Sequence, residues 1–233
     1  MDKKSLDRIG LSCYHTYKPI RFIKFQWGGN YLEKFLNLPM EKQNLIIDAA
    51  LKTFAMHGYK KTSISDIAST AGISKAMVFH YFGTKKELYL YLVNTCVDSI
   101  STEVVEKFDD SITDLFDRIL HTSKLELALM EKHPNIPSFI QSAYFENDGE
   151  VKEEIRTIFC KDDGKTIGKK ITFDGADFSK FKDDIDPKLV MNMIDWIAEG
   201  YMSKTSDAKD TDYDELYRVF EECLQLFKRN FYK

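Results

Sequence analysis

The sequence has few residues that interrupt helices and no apolar run long enough to cross a membrane. A membrane helix needs roughly 18 or more apolar residues, so we exclude a membrane-spanning protein. Only five of the 233 residues are proline, none of them between residues 40 and 133, and no glycine lies between residues 84 and 148. Because proline and glycine break helices and strand signals are weak, the sequence predicts an all-α protein.

Cysteine is also scarce, with four residues at positions 13, 96, 160 and 223. None has metal-ligand spacing to another cysteine or to a histidine pair, and they are too sparse for a disulfide scaffold. With no signal peptide visible, we expect a cytoplasmic protein with free thiols, without metal or cofactor. No Gly-rich phosphate loop or nucleophile motif is present. We therefore predict that the chain is not an enzyme, although a catalytic group assembled only in three dimensions stays open.

Charge is distributed unevenly along the chain. Residues 1–90 contain 14 Lys and Arg against 7 Asp and Glu, whereas residues 91–233 contain 19 against 30. A basic first part joined to an acidic remainder favours contact between the first part and a polyanion. Random variation of surface charge is the alternative.

Helical periodicity becomes strong from Glu41 onward. One apolar stripe predicts a helix over 41–57, which Gly58 ends as a left-handed cap. Ser63 and Ser74 are hydroxyl caps for two short helices, 64–70 and 75–82, joined by a tight turn at 71–73. A long helix begins at Lys85. The stripe consists of Ile46, Ile47, Ala50, Leu51, Phe54 and Ala55, and further helices are predicted near 112–132, 136–146, 149–170, 187–204 and 211–231.

The two short helices have the pattern of a helix-turn-helix. Close crossing near the turn requires a small residue, which Ala68 supplies, and the turn requires a residue that tolerates positive φ, which Gly72 supplies. The inner faces require apolar side chains, and the ring of Tyr81 should be partly covered. An ordinary helical hairpin is the alternative. The apolar inner positions are Ile67, Ala71, Ile73 and Val78.

Residues 46–92 resemble the N-terminal domain of TetR/AcrR-family transcriptional regulators. The resemblance implies a three-helix DNA-binding domain, a larger helical domain that binds a small effector, and a homodimer. We accordingly predict an N-terminal extension at 1–39, a DNA-binding domain at 40–88 and an effector-binding and dimerisation domain at 89–233. The matching words are Ala49-Ala50-Leu51, His57-Gly58-Tyr59, Thr62-Ser63-Ile64, Asp66-Ile67-Ala68, Ala71-Gly72-Ile73-Ser74-Lys75, Phe79-His80-Tyr81-Phe82 and Thr84-Lys85-Lys86-Glu87-Leu88.

A recognition helix enters the major groove with its N-terminus first, so the start of helix 75–82 should face base edges. The residues that match phosphate-binding positions of the family carry a hydroxyl, a phenol and an ammonium, all suitable donors. Phe79 stands where the family most often has tyrosine, so one phosphate contact should be missing. The predicted DNA-binding residues are Thr62, Ser63 (alternatively only a cap), Lys75, Ala76, Met77, Phe79, His80, Tyr81 (alternatively only packing) and Lys85.

The acidic remainder is rich in bulky side chains. In the resembled family, helices that follow the DNA-binding domain surround an effector pocket, so the resemblance implies that some of these side chains line it. For any one of these residues a core position is the alternative. The effector-binding candidates are Phe116, His121, Met130, Tyr144, Phe159 and Trp196.

The last two predicted helices carry wide apolar stripes. Two such helices from each subunit would form a four-helix bundle in a homodimer. Satisfaction of both stripes within one monomer is the alternative. The stripes are Leu189, Val190, Met193, Ile194, Ile197 and Tyr201 on one helix and Leu216, Val219, Phe220, Cys223, Leu224 and Phe227 on the other.

We therefore predict a sequence-specific, DNA-binding transcriptional regulator that binds a palindromic operator in double-stranded DNA. We expect a repressor that a small apolar effector releases. The alternative is a TetR-like factor that binds DNA or a protein and senses no metabolite.

The first 39 residues stand apart, because they mix basic and aromatic residues and show no clear period before a short helix at residues 31–36. One interpretation is a basic arm that lies on nucleic acid. The others are an extension of uncertain order, or a start placed too far upstream of a natural one at Met40. We favour the latter two and expect that deletion of residues 1–39 leaves dimerisation and specific DNA binding intact.

Overall fold

In a computed structural model of the protein, the described residues are 31–132, 135–159, 174–205 and 212–233. Within these ranges the chain is helical and its only strand-like pairing is an isolated bridge between Phe181 and Tyr232, which confirms the predicted all-α class. The helices are α1 (Tyr31–Leu36), α2 (Met40–Lys61), α3 (Ile64–Thr70), α4 (Lys75–Phe82), α5 (Lys85–Lys107), α6 (Leu115–Lys132), α7 (Asn135–Tyr144), α8 (Lys152–Phe159), α9 (Pro187–Thr205) and α10 (Tyr213–Phe231).

The predicted helices agree with the observed ones to within a few residues, with one exception. The helix predicted over 149–170 is observed as α8, which begins at Lys152 and extends to Phe159, and residues 160–173 lie outside the described part of the chain. The residues that follow, 174–186, contain only a short 3₁₀ turn at Phe178–Lys180.

Contacts divide the chain into two compact units, and the first contains the described residues up to 99 together with 135–159. The stripe on α2 supplies its centre, since Ile46, Ala50 and Phe54 are fully buried. Helix α7 packs along α2, where the buried ring of Phe139 lies 6.3 Å from that of Phe54, centroid to centroid. The same ring lies 5.5 Å from that of Tyr89 on α5. The helices predicted to form the DNA-binding domain thus share one core with a later segment of the chain.

Helix α1 is part of this unit and packs against α4. Phe35 is fully buried, with its ring centroid 4.7 Å from that of Phe82 and 6.1 Å from that of Tyr81. Gln43 closes the end of α1, because its side-chain amide donates to the carbonyls of Leu36 and Leu38 at 3.0 and 2.8 Å. Residues 31–39 thus supply a core side chain to this unit. That observation argues against deleting them, and the effect of deleting residues 1–39 on dimerisation and specific DNA binding stays a prediction.

The second unit contains the described residues between 100 and 131 and those from 174 onward. An apolar cluster that includes Phe116, Ile194 and Leu224 forms its core. Asp114 accepts hydrogen bonds from Lys180 and from the hydroxyl of Tyr232 at 3.0 and 3.2 Å. Burial alone would raise the pKa of Asp114, but Lys180, the backbone N–H of Asp117 at the start of α6 and Lys228 hold it below its usual value.

No helix among the described residues is long and apolar enough to cross a membrane. In the same ranges, no group of three or more His, Cys, Asp or Glu side chains is arranged to hold a metal ion.

Candidate nucleic-acid interface

The two short helices α3 and α4 begin at the hydroxyl caps that the sequence predicts. Ser63 Oγ accepts from the N–H of Ser65 at 3.1 Å, and Ser74 Oγ accepts from the N–H of Met77 at 3.2 Å. Each bond satisfies one of the N–H groups that a helix start leaves without a partner. The caps fix where each helix begins and therefore which side chains of α4 lie in its first turn.

The turn between α3 and α4 has the predicted conformation. Gly72 has φ +65°, a left-handed value that disfavours residues with a Cβ. The N–H of Ile73 donates to the carbonyl of Ala68 at 3.0 Å, which closes the turn. Ile67, Ala68 and Val78 are buried where the helices pack. These features confirm the close crossing predicted for a helix-turn-helix.

One face of α4, which includes the first two residues of the helix, is open to solvent. Lys75, Ala76, Phe79 and His80 are exposed, and Met77 is half-buried. The ammonium of Lys75 lies 6.0 Å from the centre of the Phe79 ring, so the cation is held over this apolar side chain. Helices α3 and α4, with the exposed first turn of α4, define a helix-turn-helix protein.

Comparison with known proteins gives a family match for the helix-turn-helix segment. Residues 46–92 match the family described as bacterial regulatory proteins, tetR family. The match covers about a fifth of the chain and includes α3 and α4 entirely.

Two relatives show how far the likeness extends. The chain is 42% identical to the HTH-type transcriptional regulator YuxN of Bacillus subtilis over 65 residues, which cover 28% of this chain and 22% of YuxN. It is 24% identical over 193 residues to IcaR of Staphylococcus aureus, a negative transcriptional regulator of the biofilm operon icaADBC, with 77% of this chain and 97% of IcaR covered. The chain thus spans under a quarter of YuxN and nearly all of IcaR.

Solved structures share the fold. A TetR family transcriptional regulator from Chloroflexus aurantiacus J-10-FL has a TM-score of 0.64 at 21% identity, with 86% of this chain and 98% of that chain covered. FadR from Bacillus subtilis, a transcriptional regulator solved with stearoyl-CoA, has a TM-score of 0.57 at 19% identity, with 78% and 96% covered. The likeness therefore includes helices well beyond the helix-turn-helix.

Lys85, the predicted phosphate-binding lysine, is the first residue of α5, and its side chain contacts the chain at the end of α2. Its ammonium donates to the carbonyls of Lys60 and Thr62 at 3.3 and 3.2 Å. It also lies 4.5 Å from the centre of the Tyr59 ring, where a cation is attracted to the face of an aromatic ring. Lys85 is half-buried as a residue, and these three contacts place its ammonium beside the end of α2.

Thr62 and Tyr81 occupy positions different from those of exposed phosphate donors. Thr62 is buried, and its hydroxyl donates to the carbonyl of Gly58 at 2.7 Å and to that of Thr53 at 3.2 Å. Tyr81 is buried against Phe35, in line with the packing alternative. A direct phosphate contact by either side chain stays a prediction.

The six effector-binding candidates lie in both units. Phe116 is fully buried in the core of the second unit, which agrees with the core alternative. In the same unit His121 is half-buried, and Trp196 is exposed. Tyr144 and Phe159 lie in the first unit with ring centroids 5.8 Å apart. The side chain of Met130 lies outside the described part of the structure.

Sequence reasoning missed three residues that support the helix-turn-helix. Phe35 lies in a helix too short to show a period. Tyr59 is one residue of the family match His57-Gly58-Tyr59, which gives it no individual role. Glu146 accepts a hydrogen bond from the backbone N–H of Tyr59 across 87 positions, and no local sequence pattern extends that far. Lys86 likewise pairs with a distant residue, Glu154, at 2.6 Å.

Proposed function

We propose that this chain is a sequence-specific DNA-binding transcriptional regulator whose helix α4 reads the major groove. The observation that carries the proposal is the exposed first turn of a capped α4 in a helix-turn-helix. Recognition helices of this class contact base edges with their N-terminal residues. A basic first part of the chain supports contact with the phosphate backbone.

Each exposed side chain of α4 has chemistry that suits one kind of contact. The Lys75 ammonium donates to guanine O6 and N7, and Ala76 and Met77 offer apolar contact to a thymine methyl group. His80, one turn further on, reaches a base or a phosphate. The Phe79 ring cannot donate a hydrogen bond, so at this position the contact to DNA is apolar.

We further propose that the protein acts as a homodimer on a palindromic operator. Leu189, Trp196 and Leu226 on α9 and α10 are large apolar side chains left exposed by the single chain. Of these three, only Leu189 belongs to a predicted stripe. Val190 and Ile194 of the same stripe are buried inside the chain, so that stripe serves both the core and the outer face. A dimer would place two recognition helices about 34 Å apart, one turn of DNA.

The direction of control and the effector complete the proposal. IcaR is a negative regulator, which supports repression here. FadR was solved with stearoyl-CoA, whose long acyl chain is apolar, which supports an effector with a large apolar part. Such a ligand releases the operator only as far as it prefers one conformation of the protein over the other.

Selection of bound sequences from fragmented genomic DNA, at stated salt, tests the proposed function. We expect a palindrome whose half-sites lie about one helical turn apart. Recovery of only salt-sensitive binding that ignores sequence would contradict it. Titration of the protein bound to the recovered site with stearoyl-CoA then tests a long-chain acyl compound as the effector: release of the DNA supports it, and unchanged binding argues against this ligand.

Lys75→Ala is expected to relax specificity at one base pair of each half-site, at a cost of roughly 1–3 kcal/mol, because one pair of hydrogen bonds to a guanine is lost. Repeating the selection with the variant measures this effect. Lys188→Ala, which removes an exposed lysine at the start of α9, is the control for charge. An unchanged preferred base at every position would contradict the assignment.

Lys85→Ala is expected to weaken binding to all sequences about equally and to lower the slope of log K against log salt by about one, because one phosphate contact releases its counterion. Binding isotherms at four or more salt concentrations measure the slope. An unchanged slope would argue against the phosphate contact.

A further inference from the structure

The proposed phosphate contact by Lys85 depends on the shape of the chain at the end of α2. Both carbonyls that hold the ammonium belong to residues 60–62, and the ring beneath it belongs to Tyr59. These groups follow Gly58, where φ +68° and ψ 175° interrupt the helix. The place of the ammonium is therefore set by how the chain leaves this kink.

A carboxylate from the segment after α7 holds the kink. Glu146 Oε2 accepts from the backbone N–H of Tyr59 at 2.9 Å. Its other oxygen, Oε1, accepts from the N–H groups of Asn147 and Asp148, each at 2.9 Å. One side chain thus joins the end of α2 to the chain that follows α7. Since backbone N–H groups bound by a charged acceptor form strong bonds, Glu146 fixes the backbone direction at Tyr59.

The Tyr59 ring is fixed by the same segment. Tyr59 is buried, and burial and a hydrogen bond between its hydroxyl and Glu150 raise its pKa. The ring therefore stays neutral and in one orientation beneath the ammonium of Lys85. Close by, Lys86 pairs with Glu154, which ties the start of α5 to α8.

We propose that Glu146 is a positioning residue for DNA binding. Through the backbone of Tyr59 it holds the ammonium of Lys85 in the position from which the ammonium contacts a phosphate oxygen of DNA. This inference rests on the proposed function. The change in DNA affinity expected on removing Glu146 is the opposite of the change that charge alone predicts. Removal of a carboxylate near DNA should strengthen binding by reducing repulsion, whereas loss of a positioning group should weaken it.

The test is a double-mutant cycle read by the salt dependence of operator binding. Glu146→Ala is expected to lower the slope by about one, as Lys85→Ala does, and to weaken affinity roughly fivefold to tenfold at fixed salt. The double variant should lose no more than either single variant. A merely structural loss would lower the folded fraction, which circular dichroism reports, and would leave the slope of the folded protein unchanged.

Two further variants keep the test decisive. Glu153→Ala removes the same charge at a position where the side chain is 77% exposed and pairs with Arg156, so it measures the effect of charge alone. Glu146→Gln keeps one acceptor oxygen for the Tyr59 N–H and is expected to fall between the wild type and Glu146→Ala. It replaces Glu146→Ala in the cycle if the alanine variant does not fold.

The outcomes separate the two proposals. If the wild-type protein shows no sequence-specific binding, the proposed function fails. If it binds its operator but Glu146→Ala matches Glu153→Ala, or the effects of Glu146→Ala and Lys85→Ala add, the positioning role is wrong and the proposed function stands. An unchanged slope for Lys85→Ala also overturns the positioning role.

Discussion

Phe35→Ala is expected to lower the free energy of unfolding by about 3–5 kcal/mol, the usual cost of replacing a fully buried phenylalanine with alanine. The loss combines the apolar surface of the ring with the cavity that remains between α1 and α4. Phe35 has no exposed surface and contacts the rings of Tyr81 and Phe82. Urea denaturation monitored by circular dichroism measures the change.

Leu36→Ala is the matched control, because Leu36 is the next residue of α1 and is exposed. We expect less than about 1 kcal/mol from this variant. Truncation gives an independent check. A chain that begins at Tyr31 should retain the stability that α1 contributes, whereas one that begins at Met40 should lose as much as Phe35→Ala or more. Equal stability of the Phe35 and Leu36 variants would show that α1 does not pack on α4.

Asp195→Asn is expected to stabilise the protein at alkaline pH and to change little at acid pH. Burial raises the pKa of Asp195 to about 7, and the charge of Glu199 adds to the rise. Between about pH 4 and pH 7 the folded state retains a proton that the unfolded state has lost. The stability from this group is therefore complete below pH 4 and is lost as pH rises through 7.

The size of the effect follows from the shift of about three pKa units, which corresponds to about 3–4 kcal/mol at pH 8. Unfolding curves of the wild type and Asp195→Asn should coincide near pH 4 and separate progressively up to pH 8. The exposed residue Asp184 supplies the control variant Asp184→Asn. Parallel curves for wild type and Asp195→Asn would contradict the raised pKa. Protein concentration must be held constant, because the proposed dimer would be stabilised by mass action.

The helix-turn-helix was predictable because its signals are local. The caps Ser63 and Ser74 and the turn glycine Gly72 act within five residues of their own positions. Hydrogen bonds of this range correspond to sequence patterns only a few residues long. The helix bounds and the exposed face of α4 can therefore be predicted from the sequence. The same holds for the kink at Gly58, where a left-handed conformation was expected.

The parts that could not be predicted depend on contacts between distant residues. The bond from Tyr59 to Glu146 joins positions 87 apart, and the one from Tyr232 to Asp114 joins positions 118 apart. Composition and period contain no information on such pairs. Apolar periodicity also cannot separate core from outer surface, so Val190 and Leu189 were placed in one stripe although only Val190 is buried.

The interleaving of the two compact units limits how this protein can be recombined with its relatives. The core around Phe54 and Tyr89 is completed by Phe139, and residues of the other unit lie between them in the chain. A crossover placed after residue 92, where the family match ends, would carry these two rings into a chimera without their covering helix. Functional chimeras therefore require an aromatic or equally bulky residue at the position of Phe139 in the recipient, and relatives that meet this condition are the suitable recipients.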